Sequence, residues 1–175
     1  MAEFTISIPL SNYKQARRAG FENINVDLMS ALPGQTVESW EQTLVKTAEL
    51  APEHLSAYSL IIEEGTPFWN WYGEDANQTL RPKEMLPLPS EEDERRMYAR
   101  TREILEQYGY HRYEISNYAK DGYACRHNIG YWTGVEYLGL GLGASSLVGG
   151  KRFQVTADLN RYLVFTKEEL AAGAQ

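Results

Sequence analysis

Residues 25–36 decide the fold, and they read NVDLMSALPGQT. Val26 and Leu28 alternate with polar neighbours, as in a β-strand that has one apolar face and one polar face. Pro33 and Gly34 follow and predict a tight turn into a helix. In an α/β barrel the helices cover the outside, so a polar strand face points into the lumen. This stretch therefore favours a parallel α/β fold.

A helix and a second strand are predicted directly after this turn. Thr36 is the predicted N-cap of the helix, and Pro52 marks its end. Residues 55–61 form the second predicted strand. Strand, helix and strand joined by short loops predict a βαβ unit with parallel strands. The apolar residues at helical spacing are Val37, Trp40, Leu44 and Ala48.

The other predicted elements lie on either side of this unit. Residues 13–20 are typical of the end of a helix, and residues 62–89 lack periodicity and predict a long loop. Ser90 caps a further helix that ends at Gly109, and residues 112–118 alternate like a strand. The predicted buried stripe of that helix is Met97, Thr101, Ile104, Leu105 and Tyr108.

Composition excludes several classes of protein. The chain has 175 residues, a net charge of -7 and no long Lys/Arg run, so nucleic acid is not an expected partner. A single cysteine excludes an intrachain disulfide and a cluster held by four thiolates of this chain. The start lacks the pattern of a signal peptide, and no apolar stretch is long enough to span a bilayer. We therefore expect a soluble cytoplasmic protein.

Asp27 is the first residue that could carry chemistry. It lies on the polar face of the first strand, near the end where parallel α/β folds bind ligands. A carboxylate there can accept hydrogen bonds from a ribose or an amine. The alternative is a carboxylate that fixes the following turn by local hydrogen bonds.

A glycine-rich stretch at residues 139–146 reads GLGLGASS. Glycine at every second position predicts a strand with one bare face, which a flat ligand or another backbone could approach closely. The likeness to a dinucleotide-binding fingerprint is superficial, because a hairpin turn at residues 149–150 follows instead of a helix. Close packing between elements is the simpler interpretation.

Residues 125–132 read CRHNIGYW and predict a polar loop. His127 could ligate haem iron, and Tyr131 and Trp132 could flank a porphyrin. Any haem would be bound non-covalently, because the C-x-x-C-H attachment motif is absent. Cys125 is an alternative thiolate ligand, and a hydrogen-bonded structural histidine is the alternative for the whole stretch.

Four stretches together resemble a known family. Residues 25–36, 64–68 (EGTPF) and 113–119 (YEISNYA) are similar to the oxygen-independent coproporphyrinogen III oxidase-like radical SAM proteins. Residues 127–132 (HNIGYW) resemble the HNxxYW signature of the HemW-type haem chaperone branch. The resemblance covers about residues 14–163.

This resemblance implies a partial (β/α)6 barrel that holds a 4Fe-4S cluster and S-adenosylmethionine in the intact family member. The family's cluster loop, CxxxCxxC, is absent here. The chain is therefore expected to be an internal fragment, with the last two barrel strands followed by an α+β extension. The expected parts are an unmatched segment (1–12), the βαβ part of the barrel (13–61), a long loop (62–89), the extension with HNxxYW (90–165) and a tail (166–175).

The resemblance also implies roles for single residues. Asp27 matches an S-adenosylmethionine-contacting aspartate, and Ile61 and Ser145 align with positions that line the same cofactor in the oxidase branch of the family. His127 matches the signature histidine and is the expected ligand of haem iron. Ala31 stands where the family has glycine, so a turn that needs a positive φ would be strained there. Ser145 stands where the chaperones have histidine. The other expected haem-binding residues are Asn128, Tyr131 and Trp132.

The function implied is that of a truncated HemW-like haem chaperone, which binds haem and passes it to acceptor proteins. Without the cluster cysteines, the chain alone is expected to do no radical chemistry, and no catalytic residue is assigned. One alternative is a fragment of an oxygen-independent coproporphyrinogen III oxidase of porphyrin biosynthesis. Another is a non-catalytic interaction module that associates with itself through an open barrel edge.

Overall fold

The computed structural model describes residues 7–73 and 82–164. The expected tail at 166–175, the first half of the unmatched segment and the middle of the expected long loop lie outside the described residues. The chain divides into two compact units, residues 1–124 and residues 125–175.

The described part of the first unit combines four helices with four strands. The sheet order is β1-β2-β4-β3, with β1 and β2 parallel and the other two pairs antiparallel. Since α2 joins the two parallel strands, the predicted βαβ unit is confirmed. The elements are α1 (Ser7–Arg18), β1 (Asn25–Ser30), α2 (Val37–Ala48), β2 (His54–Ser59), α3 (Pro67–Tyr72), α4 (Glu91–Gln107), β3 (His111–Arg112) and β4 (Asn117–Ala119).

The caps of the two long helices were predicted correctly. The Thr36 hydroxyl accepts a hydrogen bond from the Ser39 amide, and the Ser39 hydroxyl accepts one from the Thr36 amide. This reciprocal pair satisfies two amide groups that have no partner inside α2. Ser90 caps α4 by accepting from the Asp93 amide, without the reciprocal bond seen in α2.

One apolar core lies between the sheet and the helices α2 and α4. The indole of Trp40 is 1% exposed, and Leu44, Leu55, Met97 and Leu105 are fully buried. Tyr108 was expected in this stripe but is 37% exposed. It is the C-cap of α4, where the chain leaves the helix, so its side chain does not continue the buried row.

Two predictions about regular structure were wrong in detail. Residues 112–118 are two short strands and a turn, because the Glu114 carboxylate accepts from the Ser116 amide and from Asn117, which bends the chain. Residues 62–89 contain a short helix, α3, whose N-cap Thr66 accepts from the Trp69 amide. Pro67 at the first helical position favours this start.

The strain expected at Ala31 is present. Ala31 has φ +60°, directly after β1, in the left-handed region that favours glycine. Gly34 in the same turn has φ +74°, and an added Cβ would lie 2.3 Å from Cδ1 of Leu86. The Gly34 amide also donates to the Pro87 carbonyl at 2.8 Å. The turn after β1 is thus packed closely against residues 82–89.

The second unit contains α5 (Arg126–Thr133), β5 (Ser145–Val148), β6 (Lys151–Gln154) and α6 (Leu159–Leu163). The strands β5 and β6 form an antiparallel hairpin with its turn at Gly149 and Gly150, as predicted, and both glycines have positive φ. Residues 126–133 are a helix, which corrects the expectation of a loop. Gly134 ends this helix in the left-handed conformation.

The glycine-rich stretch is not the strand that its alternation predicted. Gly141 and Gly143 have φ of +105° and +69°, which an extended strand does not allow, and β5 begins only at Ser145. A Cβ on Gly139 would lie 2.1 Å from the Ser145 carbonyl oxygen. The glycine there permits a close backbone approach, in line with the simpler interpretation of this stretch.

The described residues contain no helix with the length and apolar character needed to cross a membrane.

Candidate functional site

The two faces of the sheet in the first unit differ in chemistry. The apolar side chains of β1 and β2 point to the core under α2 and α4. The opposite face carries polar side chains from three strands, because the register pairs Asn25 with His54, Asp27 with Ser56, and Ser56 with Asn117. This surface, defined by Asn25, Asp27, His54, Ser56 and Asn117, is called the polar sheet face below.

A continuous hydrogen-bond chain crosses the polar sheet face. Asn25 Nδ2 donates to Asp27 Oδ1 at 2.6 Å, and Asn25 Oδ1 lies 2.6 Å from Nδ1 of His54. His54 Nε2 lies 2.7 Å from the Tyr113 hydroxyl. Ser56 adds a longer bond of 3.3 Å to Asn25 Oδ1. Four side chains from β1, β2 and the turn after β3 are therefore linked in one line.

His54 is the buried titratable group of this hydrogen-bond chain. It is 6% exposed, and burial lowers the pKa of His54 below its ordinary value, although the Asp27 and Glu114 carboxylates act in the opposite direction. The ring is therefore held in its neutral form near pH 7. A neutral imidazole offers one donor and one acceptor, which matches its two hydrogen-bond partners.

Asn117 completes the far side of the polar sheet face. Its Nδ2 donates to Glu114 at 2.6 Å, while its Oδ1 is buried and has no hydrogen-bond partner in the described part of the chain. A buried acceptor without a partner is uncommon and marks a place where a donor would be stabilising.

Sequence reasoning missed His54, although a signal was available. The strand β2 reads HLSAYS, in which His54 and Ser56 alternate with Leu55 and Ala57. This is the same alternation of polar and apolar residues that identified Asp27 in β1. The second predicted strand began one residue too late, at Leu55, and so excluded the histidine.

The residues expected around S-adenosylmethionine are spread over the chain. Asp27 is the third residue of β1 and is exposed. Ile61 lies two residues beyond the end of β2 and is 76% exposed. Ser145 opens β5 in the second unit, and its side chain is exposed. In the structure Asp27 is linked to His54 through hydrogen bonds to Asn25, a link that the sequence did not suggest.

The residues expected around haem lie together on α5. His127 and Tyr131 are one helical turn apart, and their rings meet edge to face with centroids 4.6 Å apart. Tyr131 makes a second edge contact, also at 4.6 Å, with Tyr137. Asn128 and Trp132 have the same spacing and occupy the neighbouring row of the helix. The spacing of HNxxYW is therefore a helical one.

Several side chains of α5 that were expected to bind haem are exposed. The His127 side chain is exposed and has no hydrogen-bond partner among residues 7–73 and 82–164. Trp132 is 63% exposed, a large fraction for an indole. Cys125 is the N-cap of α5 and a free cysteine, but its side chain does not cap the helix.

The described residues contain no group of three or more His, Cys, Asp or Glu side chains that could hold a metal ion. A single axial ligand to an iron that a macrocycle already holds is a different case, because it requires only one imidazole.

Comparison with known proteins supports the resemblance seen in the sequence. The chain is 39% identical over 159 residues to the heme chaperone HemW of Bacillus subtilis, covering 91% of the chain and 40% of that protein. It is 39% identical over 150 residues to HemW of Lactococcus lactis, covering 86% of the chain and 37% of that protein. No family model matches the chain.

The fold has a solved counterpart. The chain is similar to the coproporphyrinogen III oxidase HemN of Escherichia coli, described as a radical SAM enzyme, with a TM-score of 0.62 and 24% sequence identity. The likeness covers 87% of this chain and 36% of that structure. It supports a mixed α/β fold like that of the matched part of this enzyme.

The chain thus spans about two fifths of the length of the curated relatives it matches. The shared segments run through both units, since the match to the Bacillus protein takes in 91% of the chain. The chain is therefore homologous to the HemW haem chaperones and corresponds to a part of such a protein.

Proposed function

We propose that this chain carries the haem-binding surface of a HemW-type haem chaperone, with His127 as the ligand of haem iron. The observation that supports this most directly is the arrangement of α5. Its helical spacing places the His127 and Tyr131 rings with their centroids 4.6 Å apart. Both rings and the Trp132 side chain are exposed.

The chemistry of this surface fits haem. An imidazole nitrogen is a common axial ligand of haem iron, and aromatic side chains pack against the apolar porphyrin. Binding at His127 would displace no hydrogen bond to another described residue. An exposed site with a single axial ligand also leaves the other side of the iron open, which suits a protein that passes haem to an acceptor protein.

Apolar residues around α5 supply further contact area. Ile129 on α5 is 37% exposed, and Val135 and Leu138, which follow the helix, are 59% and 66% exposed. The described part of the second unit buries only Ser146 among its side chains. A porphyrin or an acceptor protein that covers these side chains would gain hydrophobic stabilisation.

The first unit would supply the end of a partial (β/α)6 barrel. In this proposal β1 and β2 are its last two strands, residues 13–61 form its βαβ part, and residues 90–165 form the extension. The parallel register and the polar sheet face opposite the helices support this arrangement. Asp27 would contact S-adenosylmethionine through its carboxylate, with Ile61 as a further lining residue; the role of Ser145, in the second unit, stays a prediction from the family resemblance.

The intact family member would also hold a 4Fe-4S cluster, which supplies the electron for reductive chemistry. This chain has one cysteine, so it cannot provide the usual set of thiolates. We therefore infer a chain that does no radical chemistry by itself. Iron and sulfide analysis of the purified chain checks this, and a stoichiometric cluster would contradict it.

Two alternatives have an observation in their favour. The fold likeness to coproporphyrinogen III oxidase favours a fragment of such an enzyme of porphyrin biosynthesis. The position of β1 at the edge of the described sheet favours an interaction module, because an edge strand without lysine or proline can pair with a second copy. A monomer in size-exclusion chromatography would contradict the second alternative.

Haem titration tests the proposal. Wild type should develop a Soret band that saturates at one haem per chain, and His127→Ala should shift that band and weaken the affinity by about tenfold or more. His111→Ala is the matched control, because His111 is also exposed but lies on β3 of the first unit. Equal spectra and affinities for wild type and His127→Ala would refute the role of His127.

A further inference from the structure

We propose that Tyr113, His54 and Asn25 form a positioning relay that holds the Asp27 carboxylate in a single orientation. One carboxylate oxygen is then bound by the protein, and the other faces a ligand that donates hydrogen bonds, such as a ribose diol or an amine. The inference rests on the proposed ligand-binding role of Asp27 and deepens it, because it assigns residues that act through Asp27.

The direction of the relay follows from Asp27. An ionised carboxylate only accepts hydrogen bonds, so Asn25 must present its Nδ2 to Asp27 Oδ1, 2.6 Å away. The other end of the amide, Oδ1, then faces His54 and can only accept. Ser56 donates to the same oxygen, which agrees with this orientation of the amide.

The protonation of His54 follows in turn. Its Nδ1 lies 2.6 Å from Asn25 Oδ1 and must therefore carry the proton. In the neutral ring Nε2 is then an acceptor, and the Tyr113 hydroxyl, 2.7 Å away, donates to it. Every donor in the chain points toward Asp27, so the carboxylate determines the tautomer of a histidine that it does not contact.

Burial changes along the relay. His54 is 6% exposed and its ring also meets the Tyr113 ring edge-on, with centroids 5.6 Å apart. Asp27 is exposed, and its Oδ2 has no hydrogen-bond partner in the described part of the chain. The relay is therefore anchored in the protein at one end and ends on a free acceptor at the surface.

A hydrogen-bond network that only holds β1 against β2 would not require its donors to point toward Asp27. The relay makes a distinct prediction, namely that a change at Asp27 alters the tautomer of His54 through Asn25. In Asp27→Asn the new amide can donate, so the Asn25 amide is free to turn and His54 is no longer restricted to the Nδ1–H form.

Nitrogen NMR of the full chain with labelled histidine measures the tautomer directly. The three histidines are assigned with His111→Gln and His127→Gln. We expect His54 in the Nδ1–H form in wild type and a mixture of tautomers in Asn25→Ala and Asp27→Asn. The control is Asp121→Asn, which should affect only His111, 3.6 Å from Asp121. An Nε2–H form of His54 in wild type would overturn the relay. So would an unchanged His54 tautomer in both Asn25→Ala and Asp27→Asn.

Ligand binding separates this inference from the proposed cofactor role. S-adenosylmethionine is titrated calorimetrically into wild type and Tyr113→Phe, which keeps the ring and removes the first donor. We expect an affinity about three- to tenfold weaker in Tyr113→Phe, the usual effect of one hydrogen bond. Equal affinities would overturn the positioning role. If wild type binds no S-adenosylmethionine, the cofactor role of this chain fails, and the NMR result still decides the relay.

Discussion

Trp40 in α2 donates a hydrogen bond from its indole nitrogen to the Thr101 hydroxyl in α4, 2.9 Å away, inside the apolar core. The two residues are 1% and 4% exposed. The Thr101 hydroxyl in turn donates to the Met97 carbonyl at 2.7 Å. The two helices that cover the sheet are thus joined by a polar contact between side chains 61 positions apart.

Thr101→Val should show how much this hydrogen bond contributes to the unfolding free energy. Valine keeps the shape of threonine but leaves the Trp40 N–H buried without an acceptor, which costs about 1–3 kcal/mol of unfolding free energy. Urea unfolding followed by circular dichroism measures the loss. In a Trp40→Phe background the same substitution should cost clearly less, because no donor remains to be left unpaired. Equal losses in both backgrounds would contradict the assigned role of the hydrogen bond.

Glycine should stabilise the two positions where alanine has a positive φ. Ala51 (φ +57°) is exposed, so Ala51→Gly should raise the unfolding free energy by about 1 kcal/mol. Ala31→Gly should gain less, because it also removes a buried methyl group. Ala99→Gly, at an exposed position inside α4, is the control and should cost about 1 kcal/mol. A loss of stability in Ala51→Gly would contradict the strain.

The ion pair between Arg17 and Glu53 should contribute to stability only while Glu53 is ionised. Arg17 Nη2 lies 2.7 Å from both Glu53 oxygens. Burial acts to raise the pKa of Glu53, but the Ile24 amide and the Arg17 guanidinium outweigh it, so the pKa lies below its ordinary 4.5. The contribution is therefore present above pH 4.5 and is lost as the pH falls through the lowered pKa.

Arg17→Met tests this ion pair. It should cost about 1–2 kcal/mol at pH 7, since the pair is largely but not fully buried. The difference from wild type should shrink as Glu53 becomes protonated below pH 4.5. Arg95→Met, which breaks a pair with side chains about 70% exposed, should cost under about 0.5 kcal/mol. A difference that stays constant with pH would refute the assignment.

His54 should make the chain less stable in mild acid. Because burial lowers the pKa of His54 below 6.5, the unfolded chain binds more protons than the folded chain when the pH falls below about 6.5. The unfolding free energy should therefore fall between roughly pH 7.5 and pH 5.5. His54→Gln should reduce this slope. An unchanged slope in His54→Gln would show that other groups cause the pH dependence.

Substitution of the aromatic residues of α5 should weaken haem affinity without changing the iron ligand. Tyr131→Leu and Trp132→Leu should each weaken haem binding about three- to tenfold, the effect of losing an aromatic contact, and leave the Soret position unchanged. Tyr123→Leu is the matched control, because Tyr123 is 42% exposed and Tyr131 is 44% exposed. An effect of Tyr123→Leu as large as that of Tyr131→Leu would indicate non-specific haem adsorption.

Local sequence was sufficient for the βαβ unit, the start of α4 and the turn between β5 and β6. Thr36 and Ser90 are caps that act on amide groups within three residues, and the strand alternation around Asp27 reflects a period of two. The same holds for the hairpin at Gly149 and Gly150, where two glycines supply the positive φ that the turn requires. Each of these signals acts within a few residues and could be seen without the fold.

The helix α5 was harder to predict for a physical reason. It has eight residues, no side-chain cap at Cys125 and no buried face among its residues, so neither a capping signal nor a periodic apolar stripe marks it. The family resemblance identified His127, but only the helical geometry shows why HNxxYW brings His127 to Tyr131. Whether these residues bind haem stays a prediction.

The sequence by itself determined the βαβ unit, the start of α4 and the turn of the β5–β6 hairpin, because caps, turns and alternation act locally along the chain. The tertiary structure alone decided that His54 meets Asn25, 29 positions earlier, and that Tyr113 meets His54, 59 positions earlier. Strand register and burial set these contacts, and both depend on how distant segments pack. A polar face could therefore be predicted around Asp27, whereas the hydrogen-bond chain that ends on its carboxylate could not.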